Sequence, residues 1–355
     1  MKKNIPLIFI LILLMIFSLI NNYSAKYIMI EYDNYFIKQL IWYAIGFIII
    51  FIMSKINLNY LFKYSFWLYL FGNLLLIITL FWGVNVNGST SWLSLGFINF
   101  QPSELVKVIL IIYLYSFSKK YTYYSNLKYI LLISLIILIP SILTFLEPDT
   151  GAIVIYIIIY ISFLISRNLD KWWYILSVIL IVLVIISFFI LYYFFQNTFI
   201  NIFGTSFFYR MDRITEFIKG EGYQINKALI SIGSSGLLGR GIRNIPEYFP
   251  EAPTDFAFTL LVNNIGLAGG VIFLTIYFYF IYLIINKYYI NKDLILPIIL
   301  ILMIQFSINV LMNIGLLPII GITLPFISYG GSSLLSYMIL IGLVINVKKA
   351  SNDTY

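Results

Sequence analysis

The chain has 355 residues, of which 62% are hydrophobic and 10% are charged, and its formal net charge is +8. Charged residues usually make up about 25% of a soluble domain, so this composition excludes a soluble globule and favours a membrane-spanning protein. Cysteine and histidine are both absent, which excludes disulfides, thiolate or histidine metal sites and every His-dependent triad. Proton transfer near neutral pH would therefore fall to Asp, Glu, Lys or Tyr.

Apolar segments long enough to cross a bilayer recur along the whole chain. The first resembles a signal peptide, but Tyr23 stands where a cleavage site needs a small residue, which predicts an uncleaved span. The predicted spans are 5–21, 36–54, 62–82, 103–118, 128–146, 151–166, 172–195, 256–285, 294–316 and 325–347. We therefore predict an all-α polytopic membrane protein with about ten transmembrane helices, forming a single integral membrane domain over 1–355. The span 256–285 is long enough to be tilted or broken.

The distribution of charge predicts the orientation. With a cytoplasmic N-terminus, the inner segments hold 13 of the 22 cationic residues and three of the 14 acidic residues. This is the positive-inside bias, and it places both termini in the cytoplasm. The positive charge is spread thinly over short loops, which is not the footprint of a nucleic-acid-binding protein.

Two predicted outward segments are more than connectors. Residues 83–102 are rich in Asn, Gly and Ser, and residues 196–255 form one long extracellular loop between spans 7 and 8. Long loops in compact proteins are usually functional, so chemistry is expected there.

Asp255 is the sharpest catalytic candidate, because it lies where this polar loop meets the eighth span. A partly desolvated carboxylate has a raised pKa, which suits a general base. The alternative is a helix N-cap, in which Thr254 or Asp255 would accept hydrogen bonds from free backbone N–H groups.

Glu104, Lys107 and Asp149 form a predicted intramembrane polar cluster. Pro102 suits a first helical turn, and the spacing of Glu104 and Lys107 places both on one face. Asp149 is a plausible partner from the next outward turn. The cluster would either tie three spans together or take part in binding a substrate or an ion.

The long loop also carries cations suited to an anionic lipid head group, particularly a diphosphate, because Arg matches phosphate oxygens well. The predicted substrate-binding cations are Arg210, Arg213, Lys227 and Arg240, with Arg243 beside them. The alternative for some of them is attraction to ordinary anionic lipids.

Three further segments have a predicted role. Trp92 is either a membrane anchor or a stacking platform for a sugar. The glycines of 233–241 are more typical of a tight turn near the membrane surface than of a phosphate loop, since no strand precedes them. Residues 324–333 contain Pro, Gly-Gly and three Ser, so they must pack within protein or line a cavity.

Taken together, these motifs resemble the SEDS family (shape, elongation, division and sporulation), the group of FtsW, RodA and SpoVE. The resemblance runs through most of the chain in order. It is carried by Phe36–Leu40, Asn87–Trp92, Phe100–Lys107, Glu147–Gly151, Tyr223-Gln224 with Ile232–Ser234, Pro250–Phe258, Asn313–Pro318 and Leu324–Ser333. Tyr209–Thr215 favours the FtsW and SpoVE branch over RodA.

The resemblance implies an inverting peptidoglycan glycosyltransferase of the bacterial cytoplasmic membrane, which polymerises lipid II at the outer face with a class B penicillin-binding protein. Asp255 matches the family's essential loop aspartate, and Trp92, Glu104, Lys107 and Asp149 also match positions that matter. A divalent cation, Mg or Mn, would assist, with no organic cofactor. The chain departs from the family at Ser91, Pro253 and Asn263-Asn264, where many members have Arg, His and an acidic pair.

Two alternatives to polymerisation follow from the same residues. A lipid II flippase would use the intramembrane cluster as a path, and a degenerate member would act as a scaffold for a penicillin-binding protein. Sequence does not distinguish a role in division, elongation or sporulation.

Overall fold

The computed structural model describes residues 4–86, 88–94, 96, 98–244 and 250–347. Asn87 of the Asn87–Trp92 motif, part of the long loop and the C-terminal tail with Lys348 and Lys349 lie outside the described residues.

Each predicted span coincides with a long helix. In chain order these are α1 Ile5–Ala25, α2 Tyr35–Met53, α4 Ser65–Trp82, α5 Pro102–Lys120, α6 Asn126–Leu146, α7 Thr150–Ser166, α8 Lys171–Phe194, α12 Ala257–Tyr288, α13 Lys292–Asn313 and α14 Gly331–Asn346. Seven helices in the described part of the chain are long and apolar enough to cross a membrane. Helices α7 and α14 are slightly shorter, and α5 carries four charged residues. The all-α polytopic prediction is confirmed.

Smaller elements fill the segments between these helices. A short α3, Leu58–Lys63, precedes α4, and the long loop contains α9 Gln196–Phe203, α10 Thr205–Lys219 and α11 Tyr223–Gly233. Strands β1 Val84–Val86, β2 Ser89–Ser94 and β3 Asn99–Phe100 form an antiparallel sheet between α4 and α5. The sequence prediction included neither this sheet nor the three loop helices.

The helices differ greatly in how much protein surrounds them. Helix α5 lies at the centre, and every residue from Val106 to Ile112 is buried. Helix α8 lies at the periphery, where only Ser177 and Tyr192 are buried. Many of its other apolar side chains, such as Val184 at 69%, are exposed and left for lipid, while Phe188, Phe189 and Leu191 pack beside α9 and α10.

Both described ends of the chain lie at the same end of the helix bundle. The Asn4 side chain donates to the Ile345 carbonyl and accepts from Lys287, and Asn346 donates to the Met53 carbonyl. The ion pair between Lys119 and Asp293 is at this same end. We call it the basic end, and the opposite end, where α12 begins, the Asp255 end. Asn4 and Asn346, near the two described ends, therefore lie on one side of the bundle, and the cytoplasmic placement of both termini stays a prediction.

One break was expected from the sequence and one boundary was not. Helix α12 is broken at Gly266, whose φ of 73° and ψ of 179° are not helical, as the length of that span suggested. The last span was predicted to begin at 325, but α14 begins only at Gly331. Pro325 and the left-handed φ of 68° at Phe326 prevent a helix there. This stretch is buried, as predicted for 324–333: Phe326 and Ile327 are at most 2% exposed.

Candidate functional site

Asp255 lies in a tight turn that leads into α12. The Thr254 hydroxyl donates to the Glu251 carboxylate at 2.6 Å, and the Phe256 N–H donates to the Glu251 carbonyl at 3.0 Å. The segment that precedes α14 also stabilises this turn, because the Tyr329 N–H donates to the Pro253 carbonyl at 2.8 Å. The turn is therefore fixed both by its own bonds and by a distant part of the sequence.

Two buried asparagines on α13 grip the main chain of Asp255. The Nδ2 atoms of Asn309 and Asn313 each donate to the Asp255 carbonyl at 2.9 Å. Asn309 also donates to the Ile322 carbonyl, and the Asn313 Oδ1 accepts from the Thr259 N–H. These amides connect the start of α12 with Ile322, in the segment between α13 and α14. They also satisfy a first-turn N–H of α12.

The Asp255 side chain does not cap α12, so the helix-cap alternative is wrong for both residues considered. The N-cap is Phe256, which makes no side-chain cap bond, and Thr254 is bonded to Glu251 instead. The Asp255 carboxylate faces Gly321, where an added Cβ would lie 3.9 Å from its Oδ2.

The pKa of the Asp255 carboxyl is raised to about 7. Burial contributes most, because it disfavours the charged form, and the like charge of Glu251 acts in the same direction. Arg213 and Arg210 lower the pKa. A carboxylate with this pKa is well matched to accepting a proton near neutral pH.

Arg210 lies between two carboxylates. Its Nη1 donates to the Thr150 hydroxyl at 3.3 Å, and both Asp149 and Asp255 act on its charge, although burial lowers the pKa of Arg210 overall. Arg213, one turn further along α10, is more exposed. Helix α10 thus presents two guanidinium groups toward Asp255.

Lys107, Glu104 and Asp149 share one pocket, but not as a chain of ion pairs. Lys107 pairs with Glu104 and lies 4.0 Å from the Tyr337 ring centroid. Asp149 accepts from the Gln101 amide at 2.8 Å and from the Ser103 hydroxyl at 2.9 Å, and it caps α7. Asp149 thus shares the pocket with Lys107, while its oxygens accept hydrogen bonds from these other donors.

This pocket has a volume of about 40 Å³, and its wall includes Gly321, the glycine beside Asp255. Its polar lining consists of Gln101, Ser103, Glu104, Lys107, Asp149, Gln305 and Thr323. Gly321 therefore adjoins both the Asp255 carboxylate and the pocket of the intramembrane cluster.

A model of the FtsW/RodA/SpoVE family of cell cycle proteins matches residues 4–353. The chain belongs to this family. It is 36% identical to the probable peptidoglycan glycosyltransferase FtsW of Coxiella burnetii, over 88% of this chain and 86% of that one. It is 30% identical to stage V sporulation protein E of Bacillus subtilis, over 99% of both chains. These relatives agree with the predicted FtsW and SpoVE branch.

Solved structures share the fold of this family member. A chain of a peptidoglycan synthase complex superposes with a TM-score of 0.77 over 96% of both chains, at 22% identity. The rod shape determining protein RodA of Thermus thermophilus superposes with a TM-score of 0.68 over 96% of this chain and 95% of that one, also at 22% identity.

Trp92 lies on the central strand of the small sheet. It is half-buried and pairs with Val84, and the Ser89 hydroxyl of the same strand donates to the Glu147 carbonyl at 2.7 Å. The sheet is thereby tied to the end of α6, next to Asp149. Whether Trp92 stacks on a sugar stays a prediction.

Lys227 and Arg240 lie apart from α10. Lys227, on α11, stands 5.6 Å from the Tyr223 ring, and the Arg240 Nε donates to the Ser234 carbonyl at 3.0 Å. The cations that lower the pKa of Asp255 are Arg213 and Arg210 on α10. A substrate role for Lys227 and Arg240 stays a prediction.

The residues that depart from the family pattern are all packed. Ser91 is 2% exposed and Asn263 is fully buried, while the Asn264 amide donates to the Ser24 hydroxyl at 2.7 Å. Pro253 contributes its carbonyl to the contact with Tyr329. Ser91, Pro253 and Asn264 take part in packing and hydrogen bonding, whereas neither polar atom of the buried Asn263 side chain has a hydrogen-bond partner among the described residues.

The donor set does not fit a protein-held divalent cation. Within the residues that the structure describes, no three of His, Cys, Asp or Glu group closely enough to bind a metal ion. Mg²⁺ usually needs only one or two carboxylates together with substrate phosphates, so the absence of such a group does not decide whether one binds with the diphosphate. The cation requirement stays a prediction, and no step below is routed through one.

Sequence reasoning missed Asn309, Asn313 and Glu251. A signal was present for the asparagines, because two amides four residues apart in an apolar span must face protein. The position of Glu251 depends on a left-handed φ of 58°, which no local pattern predicts.

Proposed function

We propose that this chain is a peptidoglycan glycosyltransferase that polymerises lipid II into glycan strands. The observation that carries the proposal is the half-buried Asp255 carboxylate, which has a pKa of about 7 and interacts with the charges of Arg213 and Arg210. Its relatives named FtsW support the same chemistry.

The proposed reaction is an inverting displacement. Asp255 accepts the proton of the 4-hydroxyl of the acceptor N-acetylglucosamine, and that oxygen attacks the anomeric carbon of the lipid-linked donor. The bond between the anomeric carbon and the diphosphate oxygen breaks, and the lipid diphosphate leaves with both electrons. Arg210 and Arg213 stabilise the negative charge that develops on it. The Asn309 and Asn313 amides hold Asp255 in place while the proton moves.

The setting of this reaction is part of the proposal. The Asp255 end faces the outside of the bacterial cytoplasmic membrane and the basic end faces the cytoplasm, in accord with the positive-inside bias. The partner is a class B penicillin-binding protein. The similarity to a chain of a peptidoglycan synthase complex supports an assembly of this kind.

The deciding experiment replaces Asp255 by Asn, which keeps the shape of the side chain and removes the base. Purified wild-type and Asp255→Asn proteins, each with the partner, are given lipid II, and glycan strands are separated by gel electrophoresis. We expect no strands from the variant. Strand formation at the wild-type rate would show that Asp255 is not the base.

The same proteins in liposomes with fluorescent lipid II distinguish the alternatives. Strands indicate a polymerase, translocation without strands indicates a flippase, and neither activity with full binding of the partner indicates a scaffold. Chelation with EDTA in the polymerisation assay tests the divalent cation.

A further inference from the structure

Residues 222–244 contain three cations, Lys227, Arg240 and Arg243, and no acidic residue. We call residues 222–244 the α11 segment. It contains α11 and the following glycine turn, residues 234–241. Its turn carries two of the most exposed large apolar side chains described, Leu237 at 72% and Leu238 at 85%. Cations next to exposed leucines are the composition of a surface that lies in a membrane interface.

The glycine turn is fixed against the break in α12. The Leu267 and Ala268 N–H groups donate to the carbonyls of Gly236 and Leu237 at 3.0 and 3.1 Å. Gly266 leaves no room for a side chain, since an added Cβ would lie 2.2 Å from the Leu237 carbonyl oxygen. The turn therefore lies level with Gly266.

The break at Gly266 also gives the depth of the turn in the bilayer. Residues 266–288 of α12 rise roughly 34 Å at about 1.5 Å per residue, which is enough to cross a hydrocarbon core of ~30 Å. The preceding piece runs inside the protein, since residues 257–264 are all buried. Gly266 consequently lies near the boundary between hydrocarbon and head groups. Leu267 and Val271, just beyond it, are 46% and 62% exposed and face lipid.

From this arrangement we propose that the α11 segment is an anionic-lipid anchor. Leu237 and Leu238 enter the hydrocarbon boundary of the leaflet at the Asp255 end, and Lys227, Arg240 and Arg243 bind the phosphates of its anionic lipids. The occupant is this leaflet, because the segment carries three positive and no negative charges and is attached at the height of the head groups. This role does not depend on the glycosyltransferase proposal.

The absence of cysteine makes the depth of the turn directly measurable. Single-cysteine variants Leu237→Cys and Leu238→Cys carry a nitroxide in nanodiscs of phosphatidylglycerol, and electron paramagnetic resonance measures collisions with oxygen and with a water-soluble nickel complex. Val271→Cys is the lipid control and Lys219→Cys the water control. We expect both leucine positions to resemble Val271, with high oxygen and low nickel accessibility. Labels as accessible to nickel as the one at Lys219 would overturn the anchor.

The charges are tested in the same discs. We expect the Leu238 label to lose much of its protection in phosphatidylcholine, and the triple change Lys227→Gln, Arg240→Gln, Arg243→Gln to cause the same loss in phosphatidylglycerol. The matched control is Lys63→Gln, which removes one cation at the basic end. Equal protection of the Leu238 label in phosphatidylcholine and phosphatidylglycerol would overturn the anionic-lipid role. Protection that appears only when a penicillin-binding protein is added would assign the surface to that partner instead.

Discussion

Helices α10 and α11 are neighbouring amphipathic helices in one long loop, and both carry cations, yet their surroundings give those cations different roles. Helix α10 packs its aromatic side against α8 and turns Arg210 toward Asp149 and Asp255. The α11 segment packs on α12 and α13, whereas the cations that lower the pKa of Asp255, Arg213 and Arg210, both lie on α10. The number of positive charges is therefore a poor guide to phosphate recognition, and the packing of the apolar side decides where each charge points.

The largest expected effect comes from a pair of matched arginine substitutions, one on α10 and one in the α11 segment. Arg210→Gln should lower the rate of glycan polymerisation by about 10²–10³-fold, because it removes charge from the developing diphosphate. If Arg240 contacts the membrane and not the substrate, Arg240→Gln leaves the rate nearly unchanged in neutral detergent. Initial rates from purified lipid II measure both, and equal losses would place the two helices at the same substrate.

The next largest effect concerns the attachment of the α11 segment. Gly266→Ala should destabilise the protein by roughly 2–3 kcal/mol, because φ is 73° there and the added Cβ would collide with the Leu237 carbonyl. Gly233→Ala is the control, since nothing lies within 4 Å of its added Cβ. Thermal unfolding in detergent measures the difference. An unchanged melting temperature for Gly266→Ala would show that the turn is not fixed at the break.

The features that the sequence predicted are those with a local signal in the chain. Hydropathy predicted all ten long helices, and the junction of loop and span predicted the place of Asp255. The sequence also predicted that Glu104, Lys107 and Asp149 come together. These are short-range signals, because each depends on composition or on spacing within one helix.

The rest depends on contacts between distant residues. The grip of Asn309 and Asn313 on Asp255 spans 54 and 58 positions, and the bond from Tyr329 to Pro253 joins separate segments. The position of each cation relative to Asp255 depends on which helices pack together. Charge alone does not show this, so the sequence predicted substrate binding for both Arg210 and Arg240.

The asparagine grip offers an intermediate effect. Asn313→Asp keeps the acceptor for Thr259 but loses the donor to the Asp255 carbonyl, which should cost about 1–2 kcal/mol of transition-state stabilisation. The matched control is Asn73→Asp, a buried amide on α4 that donates to the Tyr69 carbonyl. Polymerisation rate and melting temperature are compared for both. A fall in rate no larger than that of the control would remove Asn313 from the positioning of Asp255.

The pH dependence should separate the charges that act on Asp255. Because the base must be ionised, the wild-type rate should rise with pH through about 7. Glu251→Gln removes a like charge and lowers the pKa of Asp255, so the rise should move to lower pH. Arg213→Gln removes an opposite charge and should move it to higher pH, whereas Arg243→Gln should leave it in place. Shifts of the opposite sign would show that another group controls the profile.

The smallest expected effect concerns the contact between α8 and α10. The Tyr192 hydroxyl donates to the Asp212 carboxylate at 2.5 Å, which joins α8 to the helix that carries Arg210 and Arg213. Tyr192→Phe keeps the aromatic packing and removes only this bond, at a cost of about 1 kcal/mol. The control is Tyr193→Phe, the next residue, which is 51% exposed. If α8 positions the arginines, Tyr192→Phe lowers the polymerisation rate and leaves the lipid protection of a Leu238 label unchanged. A variant that alters both would show that α10 and the α11 segment move as one unit.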